Sequence, residues 1–125
     1  MQTRDVEFNS CGDTIRGTLY TPEGVKNPPL VVMAGGWCYV KEIVMPYYAD
    51  DFVEIGCACL IFDYRCFGDS EGLPRQHIDP WGQIEDYRNA VSFAKTLDEI
   101  DTDRIGVWGI SYSGGHAVCV AALDT

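Results

Sequence analysis

The 125-residue sequence predicts an α/β fold in which antiparallel lead strands are followed by parallel strands that alternate with helices. After residue 30, short apolar runs alternate with segments of helical spacing, and this order is typical of parallel strands with helices packed on the sheet. The apolar runs are also continuous, as expected of strands buried on both faces. Function collects at the carboxyl ends of such strands, so the loops after Ala34, Phe62 and Trp108 are the candidate functional segments.

The first half of the chain is predicted from residue type and turn signals. Val6–Phe8 and Thr14–Tyr20 are short strands on either side of a Cys-Gly-Asp turn. Polar loops rich in Pro then lead to Leu30–Ala34, a continuous apolar run that predicts the third strand and ends in two glycines. A proline in the first turn and a glycine after the last residue indicate a helix over Pro46–Ile55, and Cys57–Phe62 is the next buried strand.

The second half repeats the pattern of helix and strand. Asp79 and Pro80 mark the start of the middle helix, because Asp caps free N–H groups and Pro suits the first helical position. A last buried strand over Arg104–Trp108 and a helix over Ser113–Leu123 follow. The residues at helical spacing that form the apolar stripe of the middle helix are Trp81, Ile84, Tyr87, Val91 and Ala94.

Composition limits the classes of partner. The chain is long enough for one domain, residues 1–125, and 46% hydrophobic residues allow a core of ordinary size. Nine Lys and Arg against 19 Asp and Glu give a formal charge of −10, which repels phosphate backbones and anionic lipid, so neither nucleic acid nor membrane is an expected partner. The chain begins without an apolar signal segment and no apolar run approaches the roughly 18 residues that span a bilayer, so we expect a cytoplasmic protein.

The cysteines form no C-x-x-C pair of the metal-binding type, and nothing marks any of them as an activated nucleophile. We expect reduced and mostly buried thiols that act as small hydrophobes, with neither a metal nor another cofactor in the site. The six positions are Cys11, Cys38, Cys57, Cys59, Cys66 and Cys119.

The segment around Ser111 is the most informative in the chain. A short apolar strand leads directly into this serine, and an apolar helix of small residues follows it. This order predicts a nucleophile elbow, a tight strand-to-helix turn that exposes the serine hydroxyl, with the small residues Gly109 and Ser113 leaving room for the turning backbone. The helix directs its free N–H groups and positive dipole end toward an oxyanion formed there, and the N–H of Tyr112 is one expected donor.

Two alternatives stay open at this segment. The last position of the G-x-S-x-G pattern holds Ser113, and a shifted register would make Ser113 the central residue, although the strand that ends just before Ser111 favours the first register. The turn could also be structural only.

The glycines after the third strand allow close approach of the backbone to a ligand, which makes the N–H of Trp37 the expected second oxyanion donor. The alternative for this loop is a plain turn at the end of a strand.

The remaining polar residues of these loops are interpreted as structural. Asp63 and Arg65 are expected to form hydrogen bonds and ion pairs, while Tyr64 could line a pocket. A serine nucleophile needs a base within hydrogen-bond reach, but His116 lies five residues further down the helix and nothing pairs His77 with an acid. Both histidines are therefore expected to be structural.

In their order along the chain, these motifs resemble those of the α/β-hydrolases. Gly-Gly-Trp follows the third strand, Asp63-Tyr64-Arg65 and a Phe-Gly-x-Ser-Glu-Gly segment follow the fourth, and a G-x-S-Y-x-G elbow follows the fifth. Within that superfamily the chain is most similar to the dienelactone-hydrolase and X-Pro dipeptidyl-peptidase-like branch, which includes cocaine-esterase-like enzymes. The resemblance runs from about residue 5 to the end of the chain.

The resemblance implies a serine hydrolase that cleaves an ester, thioester or amide bond of a small-molecule acyl substrate through an acyl-enzyme on Ser111. It assigns the oxyanion donors to the backbone N–H groups of Tyr112 and Trp37. Gly35 stands at a position where many relatives have a histidine. The expected oxyanion donor in this loop is a backbone N–H, so this difference does not remove it. An acyltransferase of secondary metabolism and a non-catalytic remnant are the alternatives.

The resemblance also implies that part of the catalytic machinery is absent from this chain. In the superfamily the acid and then the histidine of the triad follow the nucleophile on later strands, and this sequence ends at Thr125 before either position. We therefore expect residues 1–125 to be a partial domain, the N-terminal half of the α/β-hydrolase fold with an incomplete sheet, and to be inactive alone.

Overall fold

Five strands form one sheet in the computed structural model, which describes residues 1–124. In chain order they are β1 (Gln2–Ser10), β2 (Asp13–Thr21), β3 (Leu30–Ala34), β4 (Ala58–Phe62) and β5 (Ile105–Trp108). Their order across the sheet is β1-β2-β4-β3-β5. β1 and β2 form an antiparallel hairpin, β2 also pairs antiparallel with β4, and β3 lies parallel to both β4 and β5. The predicted lead strands and parallel strands are confirmed.

Three helices cover the sheet: α1 (Met45–Glu54), α2 (Pro80–Ala94) and α3 (Tyr112–Leu123). α1 contacts β2 and β4, whereas α2 contacts β1, β3 and α3. The predicted start of α2 is confirmed, because the side chain of Asp79 accepts a hydrogen bond of 3.2 Å from the N–H of Gly82 and so caps one of the free donors of the first turn.

The core lies on both faces of the sheet, since successive side chains of a strand point in opposite directions. Along β3, Leu30 and Val32 belong to a large cluster that includes the buried face of α2, whereas Met33 belongs to a smaller cluster with Met45 of α1. β4 is buried along its whole length and divides between the two clusters in the same way. The continuous apolar runs of these two strands are thus explained by burial on both faces.

The structure corrects three predictions. β1 extends well beyond the predicted segment, whereas β2 is longer by one residue at each end, because the hairpin ladder continues through polar residues to the pair Gln2 and Thr21. β5 is only half-buried, because it lies at the edge of the sheet formed by residues 1–124. Trp81 is 73% exposed; it lies about 120° around α2 from the buried Tyr87, at 100° per residue, and is not part of the buried stripe.

The cysteines are free thiols, as expected for a reduced protein, but they are less uniformly buried than predicted. Cys59 and Cys66 are buried, whereas Cys11 and Cys38 are exposed in turns. Residues 1–124 contain no helix that is long and apolar enough to cross a bilayer. Over the same residues, no group of three or more His, Cys, Asp and Glu side chains is placed to hold a metal ion.

Candidate active site

Ser111 lies on the turn between β5 and α3, where the sequence predicts it. It is exposed and takes the position before the first residue of α3, with φ 54° and ψ −115°. A positive φ is strained for a residue with a Cβ and persists only where the surroundings hold it in place. The serine is therefore presented to solvent by a sharp reversal of the chain, at the N-terminus of a twelve-residue helix.

Small residues on either side of Ser111 make this turn possible. A Cβ on Gly109 would lie 2.1 Å from the backbone oxygen of Ser113, so no larger residue fits there without moving the backbone. The side chain of Ser113 is fully buried, and its Oγ accepts a hydrogen bond of 2.8 Å from the N–H of Ile110. The same Oγ lies 3.0 Å from the carbonyl oxygen of Ala34. This burial favours the first register over the shifted one, in which Ser113 would be the exposed central residue.

The loop after β3 packs directly against the elbow. A Cβ on Gly36 would lie 3.2 Å from the carbonyl oxygen of Ile110 and 3.8 Å from the Cβ of Ser111. The next residue, Trp37, is 58% exposed, and its ring meets that of Tyr112 edge-on with centroids 5.1 Å apart. Within residues 1–124, the backbone N–H groups of Trp37 and Tyr112 have no hydrogen-bond acceptor. Two unpaired donors thus lie on the segments that flank the exposed serine.

Neither histidine is placed as a base for Ser111. His116 is 5% exposed, lies under the ring of Tyr112 with centroids 4.7 Å apart, and has its Nε2 2.9 Å from the Oε1 of Gln83. His77 is exposed and lines a separate cavity together with Arg65. The expectation that His116 has a packing role is confirmed, and in the described part of the chain neither imidazole forms a hydrogen bond with Ser111.

The buried position of His116 predicts a pH dependence of stability. Burial disfavours the imidazolium and lowers the pKa of His116 below its ordinary value of 6.5. Stability that depends on the neutral ring is therefore present above about pH 6.5 and is lost as the pH falls toward the lower pKa of the folded state. His116→Gln should flatten the fall of the unfolding free energy between about pH 7 and pH 5, measured by urea denaturation. Equal slopes for the two proteins would contradict this reading of His116.

The polar residues after β4 are structural, as predicted. Asp63 is fully buried and accepts hydrogen bonds of 2.7 Å from the backbone N–H of Lys41 and 3.0 Å from its Nζ. Arg65 donates from Nε to the buried carboxylate of Asp86 over 2.7 Å. The expectation that Tyr64 lines a pocket is wrong, because Tyr64 is buried and its hydroxyl donates to the carbonyl oxygen of Gly35 over 3.0 Å. Burial also raises the pKa of this phenol.

The sequence interpretation missed one residue beside the site. Tyr87 was assigned only to the apolar stripe of α2, but its hydroxyl reaches the ends of both β3 and β5. The only sequence signal is that a tyrosine, rather than a phenylalanine, occupies a stripe position, and a buried tyrosine hydroxyl usually has a hydrogen-bond partner.

Comparison with known proteins identifies relatives of this chain. The chain is 43% identical over 120 residues to the quorum-quenching protein AidA of Acinetobacter baumannii, covering 96% of this chain and 40% of that protein. It is 47% identical over 121 residues to the thiohydrolase aneE of Aspergillus aculeatus, covering 96% of this chain and 37% of that protein. The crystal structure of the α/β-hydrolase GrgF from a Penicillium species superposes with a TM-score of 0.93 at 33% identity, covering 99% of this chain and 43% of that one.

These relatives are considerably longer than the chain described here. The chain spans about 40% of the length of each of these three proteins, and the matched part contains the elbow and both loops of the site. Residues 12–125 also match the model of a protein family described as the X-Pro dipeptidyl-peptidase (S15 family). The chain therefore has the fold of the α/β-hydrolases and belongs to the X-Pro dipeptidyl-peptidase S15 family.

Proposed function

We propose that the whole protein is a serine hydrolase that cleaves an ester, thioester or amide bond of a small-molecule substrate through an acyl-enzyme on Ser111. The observation that carries this proposal is an exposed serine on a strained turn, flanked by the unpaired N–H groups of Trp37 and Tyr112. The relatives' descriptions as hydrolases support the same class of reaction. Residues 1–125 then form one part of a single catalytic domain.

The geometry suits both formation of the acyl-enzyme and its hydrolysis. The Oγ of Ser111 attacks the substrate carbonyl carbon and passes its proton to a base, while the carbonyl electron pair moves to the oxygen, where the N–H groups of Trp37 and Tyr112 stabilise it. The tetrahedral intermediate collapses, the bond to the leaving group breaks, and the leaving group takes the proton. Water then repeats the attack on the acyl-enzyme, which releases the acid and restores the serine hydroxyl.

The general base that would activate Ser111 is inferred from the longer relatives. Neither His77 nor His116 is placed to act on Ser111 among the described residues, and the relatives extend well beyond the matched region. We propose that the histidine and its acidic partner follow Thr125 in the whole protein. A serine hydroxyl without a base is a poor nucleophile, so residues 1–125 alone should be almost inactive.

Ester turnover tests this proposal. The whole protein should hydrolyse p-nitrophenyl acetate and a matching acyl thioester, and residues 1–125 alone should not exceed background. Analysis of the products with an added alcohol separates hydrolysis from acyl transfer, because a transferase would form the new ester in preference to the free acid. Absence of turnover by the whole protein with every activated ester and thioester would contradict the proposal and favour a non-catalytic protein.

A further inference from the structure

The hydroxyl of Tyr87 lies where the two strands that carry the site stop pairing. The ladder between β3 and β5 ends at the pair Met33 and Trp108. Beyond it, the Tyr87 hydroxyl accepts a hydrogen bond of 3.0 Å from the N–H of Ala34 and donates to the carbonyl oxygen of Trp108 over 2.7 Å. One side chain from α2 thus connects the last residues of two neighbouring parallel strands.

The two strand ends are close in sequence to the two halves of the site. Ala34 precedes Trp37 by three residues, and Trp108 precedes Ser111 by three residues. A change in the distance between the strand ends would therefore be carried toward both the loop with Trp37 and the turn with Ser111, which pack against each other through Gly36 and Ile110. Transition-state stabilisation depends steeply on such distances, because donors act only where the developing oxyanion lies within hydrogen-bond reach.

Two other buried hydroxyls hold the same strand end. The Oγ of Ser113 lies 3.0 Å from the carbonyl oxygen of Ala34, and the hydroxyl of Tyr64 donates to the carbonyl oxygen of Gly35 over 3.0 Å. Ser113 connects Ala34 with Ile110 just beyond β5, whereas Tyr87 is the one of these three that bonds to a residue of β5 itself. It is completely buried, and burial raises its pKa to about 12, so its hydroxyl keeps the proton that it donates at neutral pH.

We propose that Tyr87 is a positioning residue for this site, which sets the spacing between the oxyanion donor on the β3 loop and the nucleophile on the β5 elbow. The inference rests on the proposed function and deepens it, since Tyr87 touches neither substrate nor the reacting atoms. It acts through Ala34 and Trp108. Removal of its hydroxyl should therefore affect the stabilisation of the transition state more than the binding of substrate.

The test compares Tyr87→Phe with Ser10→Ala in the whole protein. Both changes remove a buried hydroxyl, but that of Ser10 binds Asp86 and Asn89, and neither of these residues belongs to the site. Tyr87→Phe should lower kcat for p-nitrophenyl acetate, and the rate of modification by a fluorophosphonate, by about tenfold or more, with KM within about twofold. Ser10→Ala should lower Tm but leave kcat and the rate of modification unchanged.

The outcomes separate this inference from the proposed function. If Tyr87→Phe keeps kcat within about twofold, or changes only KM, the positioning role is wrong, while loss of activity in Ser111→Ala still supports the hydrolase. If Ser111→Ala remains active, the proposed function itself fails. Should Tyr87→Phe not fold at the assay temperature, Tyr87→Phe and Ser10→Ala are both assayed at a lower temperature at which urea denaturation shows Tyr87→Phe to be folded, and the inference still requires a lower kcat at unchanged KM.

Discussion

Ser111→Ala should lower kcat of the whole protein for an activated ester by about 10⁴-fold or more. The change removes the atom that we propose forms the acyl-enzyme, whereas the N–H groups of Trp37 and Tyr112 remain to give weak residual catalysis. Because Ser111 is exposed, the free energy of unfolding should change by less than about 1 kcal/mol. Steady-state kinetics and urea denaturation of the same preparation measure both effects.

A matched serine variant makes this result specific. Ser92 is also exposed, but it lies on α2 outside the site, so Ser92→Ala should keep the kinetics of the unmodified protein. A Ser111→Ala variant that retains a tenth or more of the kcat would show that another group forms the covalent intermediate, or that none forms. Loss of folding in Ser111→Ala would contradict its placement on the surface of the turn.

Gly109→Ala should unfold or severely destabilise the protein, with loss of about 3 kcal/mol or more of the free energy of unfolding. The added methyl group would lie 2.1 Å from the backbone oxygen and 2.4 Å from the backbone carbon of Ser113, and neither atom can move without opening the first turn of α3. Any protein that still folds should have lost ester hydrolysis, because the same movement displaces Ser111. Urea denaturation gives the stability and p-nitrophenyl acetate turnover gives the activity.

Gly115→Ala is the matched control for the effect of the methyl group. Gly115 lies in α3 and is exposed, and apart from its chain neighbours and the backbone of its own helix no atom lies within 4 Å of the position that a Cβ would take. Alanine is the better helix former there, so this variant should gain about 0.5–1 kcal/mol of stability and keep its activity. Equal stability of the two glycine variants would contradict the close packing of the elbow.

The sequence predicted the elements well where one physical effect dominates. β3 has the predicted bounds of Leu30–Ala34, because five consecutive apolar residues before a pair of glycines are typical of a strand buried on both faces. The start of α2 was also predictable, since the cap at Asp79 and the proline after it depend on local chemistry. The ends of β1 were not, because backbone pairing extends this strand through polar residues whose side chains give no signal.

Within the site, the sequence predicted which turn to inspect but not how it is held. Spacing allowed either Ser111 or Ser113 as the central residue, and the burial of Ser113 favours Ser111. The role of Tyr87 could not be predicted, because its hydroxyl bonds to backbone groups 53 and 21 residues away in sequence. Such contacts depend on the tertiary structure and not on local pattern.

The position of a covalent adduct tests the central claim most directly. The whole protein is treated with a fluorophosphonate, which traps the nucleophile of a serine hydrolase, and the modified peptide is identified by mass spectrometry. We expect a single stoichiometric adduct on Ser111, absent from the Ser111→Ala variant. An adduct on Ser113 or at any other position, or no adduct on folded protein that hydrolyses esters, would show that the elbow at Ser111 is not the catalytic centre.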